Sequence, residues 1–235
     1  MRDSRSWHPP RWLGPLAIAG VVLALYMALL YAPEERTMGV VQRIFYFHVG
    51  AAYNAYLAFF LVFLSGVAYL VRKRWQWDAL AQSAGESGVV FTALTLISGA
   101  LWARPAWNAW WTWDPRLTTT LIMGFMYVAY LLIRAGIDGE ERRARVASVY
   151  GIVCFLNVPL VHYSAKWWRG LHPIVIDTRG ARPVLNMDPA MAWALLAAVV
   201  GMTLVHAYVL AHRFELELLA VRVRRLKERL HLSTE

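Results

Sequence analysis

The sequence predicts an all-α integral membrane protein with six transmembrane helices, and three observations predict it. Of 235 residues, 59% are hydrophobic and 17% charged, with a mean hydropathy of +0.41; a soluble domain carries about a quarter charged residues. The apolar residues fall in six runs free of Asp, Glu, Lys and Arg, at 13–31, 44–71, 87–103, 117–133, 146–165 and 189–212. A hydrocarbon core of roughly 30 Å takes about 17–25 helical residues to cross. The basic residues are also lopsided: 16 of the 24 Lys and Arg lie in segments 1–12, 72–86, 134–145 and 213–235. None of the runs alternates polar and apolar positions as a half-buried strand does. A helix satisfies its own backbone in lipid, so the runs are read as spans. The basic bias puts both termini in the cytoplasm and a tryptophan-rich loop outside.

In chain order, residues 1–12 form a short basic tail with Arg2, Arg5 and Arg11. Run 13–31 is read as an uncleaved anchor: it is long for a signal-peptide core, and Pro33 follows its only small-residue exit, at Leu30-Tyr31-Ala32. Loop 32–43 is short and outside. Segment 72–86 is expected as a tight inner turn with part of a surface helix, and 134–145 as a polar inner loop. Segment 102–116 carries the tryptophans, and 162–188 is the longest outer connection. Asp114-Pro115 is suited to cap the fourth span, since Asp is a good N-cap and Pro fits the first turn; Thr118–Thr120 are candidates to share that role. In the tail 213–235, Leu219, Val223, Leu226 and Leu230 share a helical stripe with Arg222, Arg225 and Arg229 off it. That pattern is an amphipathic cytoplasmic helix, on the inner leaflet or against a partner. The whole of 1–235 is expected to be a single six-span membrane domain.

Several function classes are disfavoured. The net charge of +9 reflects the inner-side bias toward anionic lipid rather than nucleic-acid binding. No G-x-x-x-x-G-K-[ST] is present, so nucleotide hydrolysis by a P-loop is not expected. The single cysteine, Cys154, cannot form an intrachain disulfide, and without C-x-x-C-H there is no covalent haem attachment motif; it reads as a small packing residue.

Seven of the twelve tryptophans sit in the two longer outer loops: Trp102, Trp107, Trp110, Trp111, Trp113, Trp167 and Trp168. An interfacial belt alone would divide evenly between the two sides. Three histidines share that side: His48, His162 and His172. A histidine at membrane depth is either a hydrogen-bonded packing group or a ligand. Together with an aromatic shelf, imidazoles suit haem iron and a porphyrin face. The set is poor in the oxygens that Ca²⁺ and Mg²⁺ want and in the close N/S cluster that zinc wants. Arg104, Arg116, Lys166 and Arg169 lie beside the tryptophans and are candidates for haem propionates. Asp114 is read as orienting an indole or Arg116.

Three stretches carry a family resemblance: WNAWWTWDPRLT (107–118), QRIFYFHVGAA (42–52) and NVPLVHYSAKWWRGLHP (157–173). In this order, and with six spans, they resemble the WWD haem-handling proteins, and within them the haem exporter protein C (CcmC) family of cytochrome c maturation. The resemblance implies a non-enzymatic protein of the bacterial inner membrane that binds haem b non-covalently at the periplasmic face. It would present that haem to the haem chaperone CcmE, working beside the small subunit CcmD and the ATP-binding-cassette subunits CcmA and CcmB. The family's axial histidines map onto His48 and His172, and its platform onto Trp107, Trp110, Trp111, Trp113 and Asp114. The chain departs from the family pattern at Gly50, Asn108, Pro115 and Pro173. Two alternatives remain at this stage. One is a cytochrome c haem lyase or synthase sharing the tryptophan motif. The other is a haem permease, for which Glu86 at the inner edge of the third span is the nearest intramembrane charge, otherwise read as solvated.

Overall fold

A computed structural model of the chain describes residues 7–168, 176–177, 184–185 and 187–232. It has the expected class: among the described residues, six helical stretches are long and apolar enough to cross a membrane. Helix α1 (Leu13–Tyr26) continues as one π-helical turn, Met27–Tyr31; a single 3₁₀ turn, Val40–Gln42, leads into α2 (Arg43–Arg72). Helices α3 (Trp75–Trp107), α4 (Pro115–Gly136), α5 (Glu140–Phe155), α6 (Asn157–Trp167) and α7 (Pro189–Leu232) follow. A two-residue antiparallel pair, β1 (Ile176–Asp177) with β2 (Val184–Leu185), lies between α6 and α7.

The helices run past the apolar runs that announced them. Helix α3 begins at Trp75, so the expected 72–86 connection shrinks to a turn through Lys73, whose φ of 53° supplies the left-handed residue that ends α2. Helix α7 is a single unbroken helix of 44 residues, about 66 Å at 1.5 Å per residue. The 213–232 segment is therefore its direct continuation. The fifth span is divided instead. Pro159 has no N–H to offer the carbonyl of Phe155, and its ring crowds that carbonyl, so α5 stops at Phe155 and α6 restarts at Asn157.

Two apolar clusters hold the bundle. The larger gathers Ala55, Phe59 and Val62 of α2 with Phe91, Met123, Tyr127, Cys154 and Val161. Phe59 stacks on Tyr127 with ring centroids 3.5 Å apart, and Cys154 is the buried packing residue its apolar context implied. The smaller joins Ala24 and Ala28, Phe45 and Tyr46, Trp102, and Met191, Ala194 and Ala198. Small residues let α1 lie directly on α7: a Cβ on Gly201 would stand 2.6 Å from the Gly20 carbonyl oxygen.

The bundle has two unlike ends. At one, α3 and α6 finish and α2, α4 and α7 start, bringing the tryptophan segment together. At the other, α3 and α5 start, α7 finishes, and His8 of the N-terminal segment meets Glu215 at 2.5 Å. The second end is tied by ion pairs. Buried Arg134 donates to Asp78 (2.7 Å), to Gln82 and to the Tyr130 hydroxyl (3.3 Å). Gln82 donates to Glu86 (2.6 Å), which receives Arg213 at 2.5 Å. Glu86 is therefore an ion-paired link between α3 and α7 rather than a free solvated charge. Deeper in, His206 bridges Asn54 (3.1 Å) and Ser87 (3.0 Å). Because the Asn54 amide donates to the Gly50 carbonyl, its oxygen accepts from the histidine.

Candidate functional site: the tryptophan end

The site is built on His48, one turn into α2 and buried against α3. Gly99 makes room for it: a Cβ there would lie 3.0 Å from the imidazole Cε1. Its Nδ1 is 3.1 Å from Ser98 Oγ. The Ser98 hydroxyl proton is directed to the Leu94 carbonyl, 2.6 Å away, so Nδ1–H donates and the ring lone pair resides on Nε2. A bond donated by the ring nitrogen facing away from a metal fixes the tautomer that a metal-ligating histidine needs. The Trp102 ring lies 5.9 Å from the imidazole, and Trp102 packs in turn on Phe45 (5.6 Å) and Trp107 (5.6 Å).

The tryptophan segment is part helix and part loop. Pro105 removes only one hydrogen bond so near a helix end, and α3 continues through it to Trp107. Trp102 is therefore a buried helical residue rather than a loop residue. Asn108 ends α3 at φ 54°. Asparagine tolerates this left-handed conformation better than other residues with a side chain do. Beyond it Trp110 and Trp113 are exposed, at 57% and 77%, and Trp111 meets Trp113 edge-on at 5.8 Å. Arg104 is folded onto its own loop: it donates to the Asn108 carbonyl (2.8 Å) and lies 5.9 Å over Trp110.

Asp114 caps α4 as expected, its carboxylate accepting from the Arg116 N–H at 2.9 Å with Pro115 in the first turn. Thr119 and Thr120 do not share that role. Their hydroxyls donate back to the Pro115 and Arg116 carbonyls within the helix. Helix α7 starts the same way at the same end, with Asp188 accepting from Ala190 N–H ahead of Pro189. Arg116 reaches across to α6 and donates to the His162 carbonyl at 3.0 Å. Next along α6, Tyr163 and Trp167 stack at 5.5 Å, exposed.

The structure thus brings His48, Trp107, Trp110, Trp111, Trp113, Asp114 and Arg116 to one end of the bundle. His172, Arg169 and Pro173 lie outside the described residues, as does the Lys166 side chain. What the sequence did not single out is a set of buried polar atoms with no hydrogen-bond partner. Among the described residues these are Gln42 Oε1, Arg43 Nε, Tyr46 OH, Trp102 Nε1, Trp111 Nε1, Thr112 Oγ1, Arg116 Nε and Thr118 Oγ1, with Tyr127 OH in mid-bundle. All but Tyr127 belong to the tryptophan end. Buried polar groups in folded proteins are normally paired, and each left alone costs about 1–3 kcal/mol. A cluster rich in N–H and O–H donors beside a correctly tautomerised histidine suits a large flat ligand carrying carboxylates and a metal. Haem, as a cargo, fits that chemistry. No group of three or more His, Cys, Asp or Glu side chains able to hold a bare metal ion occurs among the described residues.

Comparison with known proteins shows the family. The family model described as Heme exporter protein C matches residues 4–229. A Heme exporter protein C from Bradyrhizobium diazoefficiens is 31% identical over 220 residues, covering 92% of this chain and 81% of the relative. One from Rhodobacter capsulatus is 29% identical over 224 residues, covering 92% and 90%. One from Escherichia coli K12 is 28% identical over 201 residues, covering 86% and 80%. The chain, a multi-span membrane protein of haem handling in cytochrome c maturation, belongs to the Heme exporter protein C family.

Proposed function

We propose that the tryptophan end binds haem b non-covalently and presents it to the chaperone CcmE. His48 and His172 serve as the two axial ligands, with His48 binding through Nε2. Trp107, Trp110, Trp111 and Trp113 cover the porphyrin, with Asp114 holding the start of α4 so that Arg116 points into the site. Arg116 meets a propionate. The observation that supports this reading is the concentration at the tryptophan end of buried donors with no partner among the described residues, which a carboxylate-bearing macrocycle would satisfy.

The protein makes and breaks no covalent bond in this account. When bound, the iron supplies the coordination site that imidazoles grip and release. The chain orients the imidazole, shields one porphyrin face and leaves the exposed Trp110 and Trp113 edge open to the chaperone. The end lies at the periplasmic face of the bacterial inner membrane, and CcmD, CcmA and CcmB are the assembly partners. Presentation is favoured over passage through this chain because the opposite end is closed by the Arg134–Gln82–Glu86–Arg213 chain of bonds.

The test is haem transfer in a purified system. Full-length protein in nanodiscs, loaded with haem, is mixed with apo-CcmE and followed for covalent haem on the chaperone. Wild type transfers; His48→Ala and His172→Ala lose haem and transfer. Undiminished transfer by both variants would overturn the ligand assignment. Thioether formation on apocytochrome without CcmE would favour the synthase reading.

A further inference from the structure

Helix α6 takes its position from α4 rather than from α5. It is 11 residues long, and Pro159 severs it from α5 because no N–H reaches back to the Phe155 carbonyl. One buried face and a pair of side-chain bonds dock it. Val158, Val161 and Ser164 are buried, and the two valines join the larger apolar cluster with Met123 and Tyr127 of α4. At the start of α6 the Asn157 amide donates to the Thr119 carbonyl at 3.1 Å. Further along, the His162 carbonyl accepts from Arg116 Nη2 at 3.0 Å. The outer face bears Tyr163 and Trp167, stacked at 5.5 Å and exposed at 42% and 63%.

The Arg116 guanidinium is only partly used by that bond. Its Nε is buried with no partner among the described residues, while Nη2 holds the His162 carbonyl. A guanidinium presents its N–H donors in a rigid planar fork, so a carboxylate can take Nε–H without displacing the carbonyl from Nη2. Such a carboxylate adds a charge-assisted bond and removes the cost of the unpaired Nε–H. Arg116 is then held from both sides, and the α6 backbone with it. Lysine cannot do the same, since its ammonium is a single point of charge on a flexible stem.

We propose that Arg116 couples the cargo site to α6: a ligand carboxylate taken at Nε, with Nη2 kept on the His162 carbonyl, locks α6 onto α4, so that occupancy is transmitted to the exposed Tyr163–Trp167 face. The coupling rests on the reading that the tryptophan end binds haem.

The test is amide hydrogen exchange, read by mass spectrometry on the full-length protein in nanodiscs. Without haem, Arg116→Met speeds exchange over 160–168 on the order of tenfold, the worth of one charge-assisted hydrogen bond, and leaves α2 and α7 at wild-type rates. Should α2 and α7 also speed up, the variant has lost its fold and the ligand arms decide. Haem added to wild type slows 160–168 by a similar factor. Iron protoporphyrin dimethyl ester, which has no free carboxylates, gives a Soret shift without that slowing. Where the ester gives no Soret shift, haem on Arg116→Lys is read instead, and bound haem leaves 160–168 at the haem-free rate. Equal slowing by haem and ester, equal slowing in wild type and Arg116→Lys, or unchanged exchange in a folded Arg116→Met overturns the coupling. A haem Soret band in wild type with unchanged exchange over 160–168 overturns the coupling alone. No Soret band in wild type overturns the haem reading and the coupling together.

Discussion

The two ends of the bundle handle buried polarity in opposite ways. At the charged end, Arg134, Asp78, Gln82, Glu86 and Arg213 satisfy one another across α3, α4 and α7. At the tryptophan end, side chains just as enclosed hold N–H and O–H groups with no partner among the described residues. Both kinds of group are costly to bury. A protein that completes one end and leaves the other incomplete is using the first as architecture and the second as a place for something else. The charged end gives the scaffold its rigidity, and the tryptophan end binds.

This contrast sets what mutations should do. The largest effect is expected at Arg134, whose removal strands Asp78, Gln82 and Tyr130. Arg134→Ala should cost about 3–5 kcal/mol and most of the folded yield; unchanged thermal unfolding would contradict the architectural role. Asn54→Leu comes next. It leaves His206 Nδ1–H without an acceptor and should cost about 1–3 kcal/mol, read by denaturant unfolding in detergent. Tyr46→Phe should behave oppositely. It deletes a hydroxyl that bonds to nothing among the described residues, so stability holds within about 0.5 kcal/mol while haem affinity falls about tenfold. A loss of stability with haem affinity intact would dissolve the comparison.

The smallest effect is a control at the tryptophan end, in the turn between α1 and α2. There the Glu35 carboxylate accepts from Met38 N–H (2.5 Å) and Thr37 N–H (2.7 Å), and these bonds, the Met38 one foremost, hold its pKa below the usual 4.5. A lowered folded pKa means the contribution is present above about pH 4.5 and fades as pH falls through the folded value. Wild type should therefore exceed Glu35→Gln slightly in thermal stability at pH 7, by a margin that shrinks as the pH falls below about 4.5.

Much of the fold was legible because lipid imposes a simple rule: six charge-free runs became six spans. Helix ends were less so. Segment 72–86 read as a turn with part of a surface helix and 213–235 as a separate amphipathic helix, yet their residues continue α3 and α7 directly, because ion pairs such as Glu86–Arg213 can hold helices together beyond the bilayer. Trp102 was counted with the tryptophan segment 102–116, whereas α3 runs on through Pro105 to Trp107 because a proline in a last turn costs little. At the site, His48, the tryptophans and the Asp114-Pro115 cap were visible as residue types. Ser98, which fixes the imidazole tautomer, was not, since only the packing of α2 on α3 brings it to His48. Nor were the partnerless donors, because pairing is a property of three dimensions.

The most direct test of the central claim is a haem titration of the full-length protein in nanodiscs, followed by the Soret band together with tryptophan quenching. The account predicts saturable one-to-one binding that quenches tryptophan and is lost in His48→Ala, a variant whose unfolding transition stays near that of wild type. Equal haem binding by wild type and a folded His48→Ala would contradict it.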